Sequence, residues 1–384
     1  MIIRDIKEEI NKNLFKNKLI LVFGARQTGK TELVKDILNE FPKECRYISC
    51  ELLSAQRGLS VSEPEQIKAF LGQYKLIILD EIQNISNIDK VLKIIEEVLP
   101  NTQIIATSSA NVDLSKKISE QLSKKNIVFH LLPLSVREII NNSDVNEANS
   151  KLELMLRFGL YPEIYALPYE ETKIKRLNET ASSYLYKDIL EFDGVRHLST
   201  LSKMVQYLAL QTGQDVSMLE LANQIGINRL TAERYMDLLE KNYIVFRLRA
   251  FSRNKKKEIS KSFKVYFYDL GIRNSIIQNF NSPDLRTDTE AMWKNFCIVE
   301  RRKYLLQNAP HIQIYFYRTF AGQEVDYIEE DGKKLTAYEF KWRDNKNTRR
   351  VSSFTQTYGT EINKITPINY ILRIASKAAS ESFK

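Results

Sequence analysis

Hydrophobic positions follow one rhythm in the first third of the chain and another in the rest. Short apolar runs at 19–23, 46–50, 75–79, 103–106 and 127–132 alternate with stretches of helical character. Runs of that length, bounded by polar turns, predict strands buried on both faces. Their alternation with helices predicts an α/β domain built on a doubly wound parallel sheet and ending near residue 140.

Beyond it, residues 141–150 are polar and turn-rich and predict a linker, followed by a helical segment to about residue 195. Over 196–275 the pattern changes again. Ser217 to Glu220 has the spacing of a capping box, in which Ser217 accepts from the N–H of Glu220 and Glu220 reaches back. Gly226 then separates this helix from a second amphipathic one carrying Leu230, Tyr235, Leu238 and Leu239. Two strands, Tyr243 to Phe251 and Lys264 to Tyr268, are joined by the basic segment 252–258. Helix, glycine turn, helix and basic hairpin together resemble a winged helix. Asn228, Arg229, Thr231 and Arg234 fall on the first turns of the second helix, where side chains enter a major groove. Arg253, Lys255, Lys256 and Lys257 would meet phosphate from the wing.

The last region, 284–384, predicts an α+β domain. A helix with Trp293, Phe296, Val299 and Glu300 precedes the strand Ile312 to Tyr317, then Glu324-Val325-Asp326, a turn at Asp331-Gly332, and the strand Leu335 to Trp342. A two-residue turn at that dipeptide would set Asp326 opposite Ala337 and diagonal to Glu339. Asp326, Glu339 and Lys341 then share one face. Two carboxylates can share a magnesium while a lysine activates water, the minimal equipment for cutting a phosphodiester. This is the arrangement of the PD-(D/E)xK nucleases, with Glu300 as a candidate third acid.

The sharpest chemistry lies earlier. Gly24-Ala25-Arg26-Gln27-Thr28-Gly29-Lys30-Thr31 fits G-x-x-x-x-G-K-[ST] and stands between the first apolar run and a helix. Glycines let backbone N–H groups turn inward around phosphate, Lys30 reaches the β and γ phosphates, and Thr31 can ligate magnesium. About fifty residues on, the run 75–79 ends in Asp80-Glu81. Asp80 would hold the magnesium and Glu81 would polarise the attacking water as general base. The fourth run leads into Thr107-Ser108-Ser109, and Ser108 is the expected sensor of the γ-phosphate. ATP and Mg2+ are the expected cofactors.

Charge changes the picture only in its distribution. The formal net charge of +9 over 384 residues is carried entirely by residues 151–384, where 37 Lys and Arg face 28 Asp and Glu. Residues 228–273 alone carry 12 basic against 5 acidic residues, the footprint of a nucleic-acid partner, so DNA is expected beside ATP. No apolar stretch approaches the ~18 residues of a membrane span, and the N-terminus turns charged at once, which predicts a cytoplasmic protein without a signal peptide. The three cysteines and three histidines form no metal signature.

Read together, the segments resemble a family of prokaryotic AAA-type P-loop ATPases whose C-terminal half joins a winged helix to a PD-(D/E)xK-like fold. The marks are the P-loop Gly24 to Gln27, Asp80-Glu81-Ile82-Gln83, Leu132-Pro133-Leu134-Ser135 with Glu138, Tyr161-Pro162-Glu163, Arg234-Tyr235 with Leu238-Leu239-Glu240, Tyr268-Asp269-Leu270-Gly271, and Glu324-Val325-Asp326 with Glu339-Phe340-Lys341. The chain departs from the family at Gly159-Leu160-Tyr161-Pro162, often Gly-Gly-Phe-Pro, and at Val325 in place of the name-giving proline. The resemblance implies architecture and ATP binding. Two roles follow for the C-terminal half: DNA engagement and cleavage under nucleotide control, or a switch whose modules bind a protein partner.

Overall fold

The structure is a computed structural model that describes residues 2–60, 63–109, 118, 126–183, 198–252, 263–319, 322–343 and 353–374. The chain divides into two compact units, Met1–Pro133 with Lys241–Tyr243, and Leu134–Glu240 with Ile244–Lys384.

In the first unit each apolar run becomes a strand: β1 (Leu19–Phe23), β2 (Cys45–Ser49), β3 (Leu76–Asp80), β4 (Gln103–Ser108) and β5 (Asn126–His130). They form one parallel sheet in the order β2-β3-β4-β1-β5. Every residue of β1, β3 and β4 is buried, as strands covered on both faces require. Helix Lys30–Leu38 lays Leu33, Val34 and Ile37 on Ile20, Val22, Ile78 and Ile105, and helix Ile6–Asn13 adds Ile6 and Ile10 to the same core. The chain leaves β1 for the far edge, returns through β3 and β4 to one flank of β1, and continues to β5 on the other. Strand order therefore reverses beside β1, where open α/β sheets leave a crevice outside the carboxyl ends.

The second unit holds β6 (Asp215–Val216), β7 (Val245–Ala250), β8 (Phe263–Phe267), β9 (Gln313–Arg318), β10 (Glu324–Asp331), β11 (Lys334–Phe340) and β12 (Ile362–Ile365). Their order is β12-β11-β10-β9-β7-β8-β6. Helices Met218–Ile225 and Arg229–Lys241 meet at Gly226, whose φ of 78° ends the first of them, and pack with β7 and β8 on one core. Ser217 accepts the N–H of Glu220 as expected. β7 also pairs in parallel with β9, so residues 196–275 and 284–384 contribute to a single sheet.

Two expectations are corrected here. Residues 141–150 are not an irregular linker: Asp144 caps a helix Val145–Ser150 by accepting the N–H of Glu147, and Ala148 is buried. Clusters of Asn, Ser and Asp read as loops because their side chains compete for backbone bonds, and one such bond here starts a helix. The C-terminal hairpin turns on Gly332-Lys333, with Asp331 paired to Lys334 and Ile328 to Ala337, so the register lies two residues from the expected one. Gly332 has φ 59° and Lys333 is not in the left-handed region, the pattern of a two-residue turn with glycine at its first position.

Several family marks are joints of this unit. Asp269 accepts the N–H groups of Leu160 (2.7 Å) and Ile272 (3.0 Å), and burial pushes its carboxyl above the usual aspartate value. A Cβ on Gly159 would meet Asp269 at 2.1 Å, and one on Gly271 would meet the carbonyl of Phe158 at 2.1 Å. Ser135 and Glu138 close a reciprocal capping box.

Candidate functional site

The crevice beside β1 gathers the P-loop residues with the ends of β3 and β4. Gly24 has no room for a side chain, since a Cβ would lie 2.1 Å from the Leu131 carbonyl oxygen. Ala25 is buried, its carbonyl accepting from the Thr28 hydroxyl at 2.8 Å. Gln27 (φ 61°) and Gly29 (φ 94°) bend the loop through left-handed backbone, a cost that Gly29 avoids and Gln27 bears. Arg26 and Gln27 complete the loop, and helix Lys30–Leu38 starts immediately after it.

Lys30 is buried and donates to the carbonyls of Gly24 (3.1 Å) and Ala25 (3.0 Å) and to Ser109 Oγ (3.0 Å), with Glu81 Oε1 3.4 Å away. Burial draws its pKa below the ordinary lysine value, while Glu81 and Asp80 pull the other way. Three acceptors need three N–H bonds, so the geometry is that of the ammonium. Burial pushes the Glu81 carboxyl up, but the charge of Lys30 and hydrogen bonds from Ser109 and Gln83 outweigh it and hold the group below the usual glutamate value. Glu81 itself sits at φ 58°, a left-handed conformation costly for a side-chain-bearing residue.

Asp80 ends β3 with both carboxylate oxygens in use. Oδ2 accepts from Thr31 Oγ1 (2.8 Å) and Tyr47 Oη (2.6 Å), and Oδ1 accepts from Thr107 Oγ1. Thr31 and Asp80 are thus adjacent hard oxygen donors, the chemistry magnesium takes. At the end of β4 the two serines turn to different partners. Ser108 turns to the Gln83 carbonyl oxygen at 2.8 Å, whereas Ser109 Oγ donates to Glu81 (2.7 and 2.6 Å) and accepts from Lys30. Parallel strands alternate faces, so neighbouring serines cannot do the same work.

Two residues were not foreseen. Burial and the hydrogen bond to Asp80 raise the pKa of Tyr47 well above the usual tyrosine range, which keeps its hydroxyl a donor. Arg4, buried, reaches the carbonyls of Thr28 (2.6 Å) and Leu132 (2.7 Å) and fixes the loop from behind. Neither stands in a motif; only the strand position of Tyr47, level with the run that ends in Asp80, hinted at its role.

The hairpin of the second unit disperses its charges. Asp326 is buried, with Oδ1 on Lys294 Nζ at 2.6 Å and Oδ2 accepting the N–H of Phe340 at 2.8 Å. Burial lowers the pKa of Lys294 but Asp326 outweighs it, leaving the lysine above its ordinary value. Glu300 points elsewhere, accepting from the Val136 N–H (2.8 Å) and Lys303 (2.7 Å). Among the described residues no group of three carboxylate, histidine or cysteine side chains is arranged for a metal. Of the expected pair of Asp326 and Glu339, Asp326 is thus compensated by a lysine one turn into helix Thr289–Asn308. Glu339 and Lys341 lie together (3.3 Å), facing Glu290 (3.9 Å from Lys341 Nζ), in an open cleft of about 570 Å³. Glu290, the third member, stands three residues before Trp293 on the same helix, outside the spacing of the D…ExK pattern.

On helix Arg229–Lys241, Asn228 is a cap that accepts the N–H of Thr231 at 2.8 Å, and Arg229 pairs with Glu233 at 2.8 Å. Arg234 is exposed and Thr231 half-buried. Arg253, Lys255, Lys256 and Lys257 lie outside the described residues.

Three family descriptions match successive parts of the chain: an AAA domain over residues 16–140, and two domains of unknown function over 149–283 and 289–377. The first unit is accordingly an AAA-type P-loop ATPase domain. An uncharacterized protein of Methanocaldococcus jannaschii is 27% identical over 331 residues, covering 78% of this chain and 73% of that one. An uncharacterized protein of Mycobacterium tuberculosis is 28% identical over 336 residues, covering 86% and 72%. Among solved structures, the RuvB Holliday junction branch migration motor of Thermotoga maritima is similar at 15% identity and a TM-score of 0.33, over 67% of this chain and 94% of that one. No helix among the described residues is long and apolar enough to cross a membrane.

Proposed function

We propose that the protein is a magnesium-dependent ATP hydrolase whose second unit is a binding module moved by the nucleotide state. The observation that carries the reading is the convergence of Lys30, Glu81 and Ser109 at 3.4 Å or less beside the Thr31–Asp80 pair. Lys30 and the loop N–H groups hold the phosphates, and Thr31 and Asp80 would hold magnesium. When bound, magnesium neutralises charge on the phosphate oxygens. Glu81, ionised and held by Ser109, takes a proton from the attacking water. Phosphate entry draws Lys30 off the Gly24 and Ala25 carbonyls and away from Glu81, so the base is released as its substrate arrives.

For the second unit, the pairing of Asp326 with Lys294 and the engagement of Glu300 with Val136 and Lys303 favour binding over cleavage. DNA is the partner suggested by the charge of 228–273. A nuclease reading keeps one supporting observation, the Glu290, Glu339 and Lys341 cleft.

The test is ATP turnover and nucleotide binding, with and without single- and double-stranded DNA. Lys30→Ala abolishes nucleotide binding. Glu81→Gln retains it and lowers turnover at least ~100-fold, the scale of a lost general base. Equal turnover by the wild type and Glu81→Gln overturns the assignment.

A further inference from the structure

In the second unit a cleft of about 340 Å³ opens between the end of β7, the start of β9 and the C-terminal half of helix Thr289–Asn308. Arg247, Arg249 and Arg302 line it, with Leu305, Ile312 and Tyr315. The three arginines are not equivalent. Arg247 is spent: its guanidinium holds Glu240 and Asp237, and its N–H donates to Glu240. Arg302 is fixed without being neutralised. Its guanidinium lies over the rings of Phe246 (4.5 Å) and Tyr268 (5.5 Å), and Nε donates to the Tyr268 hydroxyl at 3.1 Å. That stacking immobilises the fork and uses one of its five N–H bonds. Arg249 is exposed, and no carboxylate among the described residues pairs with either Arg249 or Arg302.

We propose that this cleft is a phosphate subsite for a nucleic-acid strand, with Arg249 and Arg302 on the backbone and the apolar floor beside Tyr315 against a sugar or base. Planar guanidinium forks match phosphate oxygens, and pre-ordering by stacking removes much of the rotamer cost of binding. The volume is near the lower end of the ~300–1,000 Å³ usual for small ligands, room for one nucleotide unit. The lining contains no carboxylate, and the acids behind it, Glu240 and Asp237, are held by Arg247. This site is separate from the expected contacts of Asn228, Arg229, Thr231 and Arg234, and it does not rest on the ATP reading.

The test uses the full chain without nucleotide and a fluorescein-labelled single-stranded 20-mer, read by anisotropy across a potassium chloride series. Arg249→Ala with Arg302→Gln should weaken binding and reduce the log–log salt slope by about one to one and a half, given ~0.7 per phosphate of a single strand. Arg249→Ala alone, at an exposed position, should give about half that change and the melting temperature of the wild type. An unchanged slope in both variants overturns the proposal, as does a wild type that binds no oligonucleotide. Displacement of the strand by poly-glutamate at equal charge concentration also overturns it, in favour of an acidic protein partner.

Discussion

The two units each bring a lysine to a pair of carboxylates, and they do opposite things with them. In the first, Asp80 and Glu81 are consecutive at the end of a central parallel strand, and the strands on either side deliver Tyr47, Thr107 and Ser109 to the same crevice. The charges are buried but each is met by hydroxyl or amide donors, with Lys30 left on loop carbonyls that a phosphate can replace. In the second, Asp326 and Glu339 lie at the open end of one hairpin but are used differently, the former closed by Lys294 and the latter standing in an open cleft. The same residue types yield a converging site only where the topology forces the ends of several strands together. In the hairpin it is the partners that differ, Lys294 for Asp326 and Lys341 for Glu339.

Lys294 offers the strongest way to break that comparison. Lys294→Met keeps the aliphatic stem but leaves the buried Asp326 carboxylate uncompensated, and removing one partner of a buried pair costs about 3–5 kcal/mol. With the Lys294 side chain 20% exposed, solvent screening reduces the cost to at or below the lower end, about 2–3 kcal/mol, read by urea unfolding. The sign with pH follows from the raised lysine pKa: the stabilisation is fully present below the ordinary lysine value and is lost as pH rises through the folded one. The gap between wild type and variant should hold from pH 7 to 10 and close only above that. The same variant should acquire manganese binding, measured by titration calorimetry, if the lysine stands where a cation would. A variant as stable as the wild type, and without manganese binding, would place Asp326 outside any charge-compensated site.

How much of this was legible depended on range. The five parallel strands, the phosphate loop and the Thr31–Asp80 pair could be read because each rests on a local pattern, a run of apolar residues or a fixed spacing. The helix pair around Gly226 was legible for the same reason. What escaped was set by contacts remote in sequence: Arg4 on Thr28, Tyr47 on Asp80, Glu300 on Val136. The hairpin failed on a local ambiguity, since Asp331-Gly332 and Gly332-Lys333 are both acceptable two-residue turns and differ by two in register. The polar stretch 141–150 failed because composition cannot tell a capped helix from a loop.

A smaller effect distinguishes the two serines that end β4. Ser109→Ala removes the donor to Glu81 and an acceptor of Lys30, and a hydrogen bond to a charged group is worth about 1.5–3 kcal/mol. Because Gln83 still holds Glu81, turnover should fall about tenfold with ATP affinity little changed, which is ~1.4 kcal/mol at the barrier. Ser108→Ala, which removes the donor to the side chain of Gln83, should lower turnover by less than about threefold. If Ser108→Ala proves the more damaging, the sensor lies where the motif alone placed it and the crevice rearranges around nucleotide.

The smallest expected effect bears on the cleft that keeps the nuclease reading open. Lys341 is about one-third exposed, 3.3 Å from Glu339 and 3.9 Å from Glu290. A pair so placed contributes only about 0–1 kcal/mol, so Lys341→Ala should melt within a few degrees of the wild type and leave ATP turnover unchanged. Stability therefore cannot explain the residue, and a manganese-dependent cleavage assay on plasmid and single-stranded DNA decides what does. On the binding reading, neither the wild type nor Lys341→Ala cuts, because Asp326 is already satisfied by Lys294 and the third acid lining the cleft beside the two glutamates, Asp284, is paired with Arg343. Cleavage by the wild type that Lys341→Ala and Glu339→Gln abolish, with ATP turnover intact, would reverse the comparison. Glu290 would then replace Asp326 as the acid that works with Glu339, and Glu290→Gln should be as inactive as either.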